Sequence, residues 1–401
     1  MAVTVAPGVE EMLQQHGMPL IRSAEEPSRV AAAVAAAAHD IAGTGLLRRT
    51  GETVIAGEVI RSDGTRWRPA DQEWEDNEQL WSLDGPASVL GPVPVPGGQL
   101  LIIDYKDTPP ELCQETPRLL IRRLEAAGVR DAEISLAPQL SGDRFAALRS
   151  FSPVVRAYLR TGDPPPAGRF TGMPSAPRLI GVAAEWLRSH YAPGSDLLAL
   201  VNSTIPVSLT WDSLKPVAED VLAADVSVDL IVSDFATRAT TAQLGFFGYT
   251  GITLAAAGRD WRSEQAAAQM RALRETIRTC AADAEWAGVD VYPSTERAHY
   301  IPGDGDVLGN IRVYHRDELH VGPMWYQVIS DAELRRLGAP PPGAAELADG
   351  RFELTAGEPE QWVPGHPDNA AVRARAGKLL PRQPDPGPTR PRRRGFWRGP
   401  S

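Results

Sequence analysis

The stretch LLIIDYKDTPPELCQETPRLLIRRLEAAGVRDAEISLA, residues 100–137, decides the fold class. Leu100 to Tyr105 is a short apolar run and reads as a buried strand. Thr108-Pro109-Pro110-Glu111 has capping-box spacing, with proline at the first helical position. The helix that follows carries Leu112, Leu119, Leu120, Ile121 and Leu124, and stops at Gly128. Ala132 to Ala137 is the return strand. Pro117 lacks an amide proton and marks the place where this helix is expected to kink.

The same alternation continues downstream. It predicts a helix over 178–191, a strand over 196–202, a short strand near Val207, a helix over 212–224 and a strand over 226–233. Two further strands flank Gly245, Gly248 and Gly251. A long helix is expected over 261–287, where Ala, Glu, Gln, Arg and Leu dominate, with Gly288 closing it. Phe145 to Leu159 is amphipathic and reads as a helix, and Thr161 to Pro177 as a linker. Residues 293–330 read as loop-rich, with strands at Ile311–Tyr314 and Trp325–Ile329, and 339–367 carry many Pro and Gly.

Upstream, residues 1–22 read as loosely ordered. Ser23 and Glu26 form a capping-box pattern for a helix that starts near Pro27 and runs through the alanine block to Gly43. A hairpin follows, from Thr53–Ile60 through the Asp63-Gly64 turn to Thr65–Arg68. Gly85 to Gly98 reads as a linker or a loop wrapping the core. The expected fold is mixed α/β (α+β): a layered sheet with flanking helices, a small N-terminal helix–hairpin unit and a disordered C-terminal tail. The expected units are 1–95 (helix, hairpin and Trp/acidic segment), 96–295 (main core, with a split near 161–177), 296–380 (accessory region) and 381–401 (Pro/Arg tail).

Composition excludes several chemistries. Of 41 basic residues only Lys106, Lys215 and Lys378 are lysine. None lies in a Gly-x-x-x-x-Gly-Lys phosphate loop, and a kinase-like set is absent. With abundant Ala, Gly and Pro, this bias fits a high-GC bacterial genome. Cys113 and Cys280 are too few for a disulfide framework or a cysteine-only metal site. No basic region precedes Glu10, and the longest small-apolar run, Val30–Ala38, is too short to span a bilayer, so a cytoplasmic protein is expected.

Five constellations carry possible chemistry. His299, His315 and His320, with Asp304, Asp306, Asp317 and Glu318, supply imidazole and carboxylate ligands suited to a divalent metal. Their spacing matches no motif, and the plainer reading is a polar loop with turn-forming Asp-Gly and surface histidines. Asp104, Lys106 and Asp107 follow one expected strand, Asn202, Ser203 and Thr204 a second, and Ser233, Asp234, Thr237 and Arg238 a third. Parallel neighbours would bring these groups to one rim for acid–base work; the plainer role is capping and turn formation. Trp67, Trp74 and Trp81, among five carboxylates, offer a cation-binding face or, more simply, packing surface. The glycines of 245–251 do not form a dinucleotide fingerprint, and no sequence feature calls for a cofactor.

The fifth is a charge split. Residues 382–401 carry +5, so residues 1–380 carry −15 of the net −10. Arg392, Arg393, Arg394 and Trp397 are the expected partner-binding residues, suited to an anionic partner or membrane surface. The acidic body argues against broad nucleic-acid binding. Two functional readings follow. The first is a non-catalytic binding or accessory protein acting through protein contacts. The second is an enzyme of unknown reaction, metal-dependent or not, with its site at the strand ends or in the 299–320 loop.

Overall fold

The computed structural model describes residues 2–13, 18–43, 53–55, 58–60, 66–67, 89–103, 110–138, 143–144, 151, 153–161, 176–191, 194–201, 205–224, 226, 228–246, 249–280, 284–292, 324–329, 334–335, 337–347 and 350–379. They build a mixed α/β protein around two sheets.

The smaller sheet is ordered β1-β8-β2-β7-β6. Its strands are β1 (Val3–Val5), β2 (Pro19–Ser23), β6 (Val89–Val95), β7 (Gly98–Ile103) and β8 (Ala132–Leu136). Helix α1 (Val9–Leu13) lies between β1 and β2, α2 (Pro27–Gly43) follows β2, and α3 (Pro110–Ala126) joins β7 to β8. The β-α-β unit of 100–137 is therefore present, with one feature the sequence hid. β2 is inserted between β7 and β8 and runs antiparallel to both. Helix α3 runs unbroken through Pro117 to Ala126, and Gly128 just beyond it, with a φ of 76°, lets the Val129 N–H reach the Leu124 carbonyl.

Strand β7 decides how the layers stack. Its side chains alternate, and both sides are buried. Leu101 and Ile103 join Ile21, Ile134 and the inner faces of α2 and α3. Leu100 and Ile102 point the other way, into the largest apolar cluster. That alternation explains why the run looks uniformly apolar. The Asp40 carboxylate takes both the Arg123 Nε (2.5 Å) and Nη2 (2.6 Å) hydrogen bonds and ties α2 to α3. At Gly98 a Cβ would lie 2.3 Å from the Ile21 carbonyl oxygen, so β2 and β7 meet there only because residue 98 is glycine.

The larger sheet has ten strands, ordered β11-β10-β12-β13-β14-β9-β15-β16-β18-β17, and every pairing in it is antiparallel. They are β9 (Val154–Thr161), β10 (Asp196–Val201), β11 (Ile205–Ser208), β12 (Val228–Ser233), β13 (Arg238–Phe246), β14 (Tyr249–Gly258), β15 (Ala284–Tyr292), β16 (Tyr326–Ile329), β17 (Ala345–Glu346) and β18 (Phe352–Thr355). On one face lie α4 (Ala176–His190), α5 (Trp211–Ala223) and α6 (Ser263–Thr279). The chain finishes with α7 (Pro359–Trp362) and α8 (Asn369–Leu379). Helix α5 touches β12 of the large sheet and β6 of the small one. It buries Leu214, Val217, Ala218, Val221 and Leu222 in the cluster that also holds Leu100 and Ile102. Thr210 and Ser213 form a reciprocal capping box at its start.

Several expectations change. The helix expected over Phe145–Leu159 is strand β9 from Val154 onward. It sits between β14 and β15, and residues 154–159 are all buried, so no half-exposed alternation survives to mark a strand. The long helix over 261–287 stops at Thr279, and Gly288 lies inside β15 rather than closing a helix. Good helix formers in 284–287 yield to pairing with β9. The described residues of the stretch 1–22, expected to be loosely ordered, supply β1, α1 and most of β2. The linker expected over 85–98 contains edge strand β6, where Pro92 and Pro94 are tolerated beside a register shift. Glu26, not Ser23, caps α2: its carboxylate accepts the Ser28 and Arg29 N–H groups. The hairpin expected over 53–68 forms a small sheet of its own, β3 (Thr53–Ile55), β4 (Glu58–Ile60) and β5 (Arg66–Trp67).

Leu100→Ala and Leu101→Ala should each cost about 2–5 kcal/mol in denaturant unfolding. Native-state hydrogen exchange is expected to separate them, with Leu100→Ala releasing α5 and Leu101→Ala releasing α2 and α3.

Candidate functional site

Among the strand-end groups, Ser233 and Asp234 are described. They sit in the turn joining β12 to β13. The Ser233 hydroxyl accepts the Phe235 N–H (2.8 Å) and donates to the Arg238 carbonyl (3.0 Å). Asp234 Oδ1 accepts the N–H groups of Ala236 (3.0 Å), Thr237 (2.8 Å) and Arg238 (3.1 Å), and Oδ2 takes the Thr237 hydroxyl at 2.5 Å. Partial burial pushes this carboxyl up, but the hydrogen bonds outweigh it and hold it well below the usual carboxylate range. The carboxylate organises its own turn and keeps Phe235 at a positive φ of 55°.

The three strand ends do not share a rim as parallel neighbours would. β10 and β12 are antiparallel, and Ser233 pairs with Asp196 while Val201 pairs with Val228. The Val201 end of β10 is therefore at the opposite end of this strand pair from Ser233. Asp104, Lys106 and Asp107 lie outside the described residues, as do Asn202, Ser203 and Thr204. So do Trp74, Trp81, His299, Asp304, Asp306, His315, His320, Arg392, Arg393, Arg394 and Trp397. Among the described residues no group of three or more His, Cys, Asp or Glu side chains is placed to hold a metal. No helix among them is long and apolar enough to cross a membrane.

Two ionic clusters that sequence reading missed are built into the large sheet. Asp290 is 3% exposed and stands opposite Arg156 in the β9–β15 register. Its two oxygens take the Arg373 guanidinium of α8 at 2.9 and 3.1 Å, and Arg373 also donates to the Val291 carbonyl at 3.2 Å. β16 pairs with β15 only over Ala287–Val289, so Arg373 supplies a donor to β15 beyond the end of that pairing. The Arg373 guanidinium also lies 4.6 Å from the Trp362 ring centroid. Nearby, the Tyr158 and Tyr292 hydroxyls are 3.4 Å apart, and burial pushes both phenols up, so both are neutral. The second cluster faces α6. Glu353 accepts the Tyr326 hydroxyl at 2.8 Å and pairs with Arg278 at 3.2 Å and Arg274 at 3.7 Å. Burial, then the Glu353 carboxylate, pushes the Tyr326 phenol up. A strand pattern for Val154–Thr161 and Ala284–Tyr292 would have exposed Arg156 and Asp290 as charges in central strands, but the first stretch reads as helix and the second as the end of a helix closed by Gly288.

On the surface, the ends of α4 and α5 form a compact aromatic–arginine group. The Tyr191 and Trp211 rings are edge to face, with centroids 5.2 Å apart. The Arg188 guanidinium lies 5.5 Å from the Trp211 centroid. Tyr191 is 41% exposed and Trp211 half-buried. The sequence held a signal for this group. The apolar stripe of α4 (Leu179, Ile180, Ala183, Trp186, Leu187) extends to Tyr191, and that of α5 extends back to Trp211, each one step past the core. His190 anchors the end of α4, with Nε2 at 2.5 Å from Gln269 Oε1 of α6. Tyr, Trp and Arg on a rigid support suit burial against another protein better than they suit acid–base chemistry.

Arg373→Ala leaves Asp290 buried without its main partner and should cost about 3–5 kcal/mol in denaturant unfolding. Adding Asp290→Asn to that variant is expected to recover part of the loss. Asp234→Ala should lower Tm at pH 7 by about 1–3 °C. The native carboxyl is held below its unfolded value, so its contribution is complete above that value, about pH 4, and fades as pH falls further. The Tm gap between wild type and Asp234→Ala should therefore narrow below pH 4. No family model matches the chain, and neither a curated protein nor a solved structure matches it.

Proposed function

We propose that the protein is a non-catalytic binding or accessory protein that acts through protein contacts, with the basic tail as a tether. The observation that supports this most directly is the Tyr191–Trp211–Arg188 group. It puts two rings and a stacked guanidinium on the surface, and Tyr191 is the most exposed large apolar side chain among the described residues. These residue types carry most of the binding energy in protein interfaces, because they bury large area at low entropic cost. The stacking fixes the rings before a partner arrives, which lowers the ordering cost of association.

Charge supports the same reading. An acidic body with a short arginine-rich, aromatic end can hold two partners of different character, or one partner at two points. Two linked weak contacts raise effective affinity without a new interface. The ionic side chains are explained by the fold: buried Asp290 and Glu353 and exposed Asp234 each satisfy a neighbouring helix, strand or turn.

Two variants of the full chain test the proposal. Removal of residues 382–401 should weaken partner or membrane association in pull-down and fractionation and leave Tm within about 1 °C, as expected for a polar, proline- and arginine-rich sequence. Unchanged pull-down and fractionation profiles would overturn the tether. Trp211→Ala combined with Tyr191→Ala should weaken the same association by about 30-fold or more, the scale of an interface hot spot. Binding unchanged within twofold would remove the aromatic group from the interface.

A further inference from the structure

The two main sheets have four edges, and three carry proline or are only two residues long. A bare edge strand offers unpaired N–H and C=O groups to any other strand, and proteins blunt such edges with proline, bulges, short length, charge or a covering element. β6 carries Pro92, Pro94 and a register shift, and α2 and α5 pack on it. β11 carries Pro206. β17 is two residues long. β1, at the last edge, is also short, at three residues, but it carries no proline, register shift or charge, and among the described residues no strand pairs on its outer side. Its sequence Val3-Thr4-Val5 is β-branched throughout, and no charged residue occurs before Glu10. Thr4 and Val5 are exposed, Val5 to 36%.

The outward-facing groups of β1 follow from its pairing. β1 runs parallel to β8 in the register Thr4↔Glu133, and the Ala6 N–H donates to the Ile134 carbonyl at 2.8 Å. In a parallel ladder, alternate residues direct both backbone groups to the same neighbour. Ala6 and Thr4 therefore face β8, and the N–H and C=O of Val3 and Val5 face away from it. The Val-Thr-Val sequence is a palindrome about Thr4. An antiparallel copy would set Val3 against Val5 of the other chain, with two exchanged hydrogen bonds at each end. Thr4 would lie against Thr4 on the two-fold axis. Such a contact is isologous and closes on itself.

We propose that β1 pairs antiparallel with β1 of a second copy of this chain, joining two five-stranded sheets into one ten-stranded sheet across the dimer. The self-complementary register favours a second copy over an unrelated peptide. The inference is independent of the aromatic–arginine group and of the tail, which involve other residues.

The test uses the full chain with any tag at the C-terminus. Sedimentation velocity from about 10 to 500 µM covers the range in which a contact this small associates. The wild type is expected to shift from monomer to dimer across that range. Val5→Pro removes one outward N–H and leaves the β8 ladder intact, and Val5→Lys adds like charges near the axis. Both should weaken association at least tenfold with Tm unchanged. A covalent readout does not depend on affinity. Thr4 pairs of non-hydrogen-bonded type would have Cα atoms about 4.5 Å apart, within disulfide reach. Thr4→Cys should therefore cross-link under mild oxidation. Val5→Cys should not, because each Val5 faces Val3 of the other copy. Cys113 and Cys280 are buried and do not compete. A wild type that stays monomeric at every concentration would overturn the proposal. So would Val5→Pro associating as the wild type does, or Val5→Cys cross-linking as readily as Thr4→Cys.

Discussion

Everything in this fold leans on the burial of β7 from both sides. A strand with one wet face can be displaced at modest cost; one with two dry faces must find a partner layer for each. Leu101 and Ile103 are covered by α2 and α3, and Leu100 and Ile102 by the cluster to which α5 belongs. Helix α5 thereby becomes common property of the two sheets. Its apolar stripe is satisfied only when the small sheet and the large sheet are both present. The pairing of layers is set by this shared hydrophobic surface rather than by any ion pair between the sheets, because area removed from water scales with contact and tolerates small displacements.

Charges inside the large sheet play a different part. Burying a carboxylate costs several kcal/mol unless its partner geometry is good, so such groups add little net stability. They do add direction. Asp290 accepts Arg373 through two parallel hydrogen bonds, a geometry that only one placement of α8 can meet. Glu353 does the same for α6 through Arg278 and Arg274. Apolar packing would accept α6 or α8 in several rotations about its own axis, and the arginines accept one.

Legibility in the sequence followed the physics of burial. Elements with one wet side, such as α2, α5 and the start of α6, carried their periodicity openly, and the stop at Gly128 marked a helix end by local chemistry alone. β9 did not, because both of its faces are dry and Tyr158, Ala157 and Leu159 read equally well on a helix. Ala284–Ala287 misled for another reason: local helix preference is worth a few tenths of a kcal/mol per residue, and full cross-strand pairing outweighs it. The polar strand ends pointed to turns as well as to chemistry, and at Asp234 the turn explains every hydrogen bond. The surface group at Tyr191 and Trp211 was readable only as two apolar stripes that ran slightly too long.

The position of β9 has a consequence for how the chain is made. It is the first strand of the large sheet to be synthesised, yet it lies in the middle, between β14 and β15. Neither neighbour exists until residues 249–258 and 284–292 have been added. At about 5–20 residues per second, β9 waits on the order of ten seconds with both edges open. During that wait it is an apolar segment with nothing to pair with, which makes translation the interval of greatest exposure to aggregation. Folding of the large sheet is correspondingly governed by long-range closure and is slow for the size of the protein.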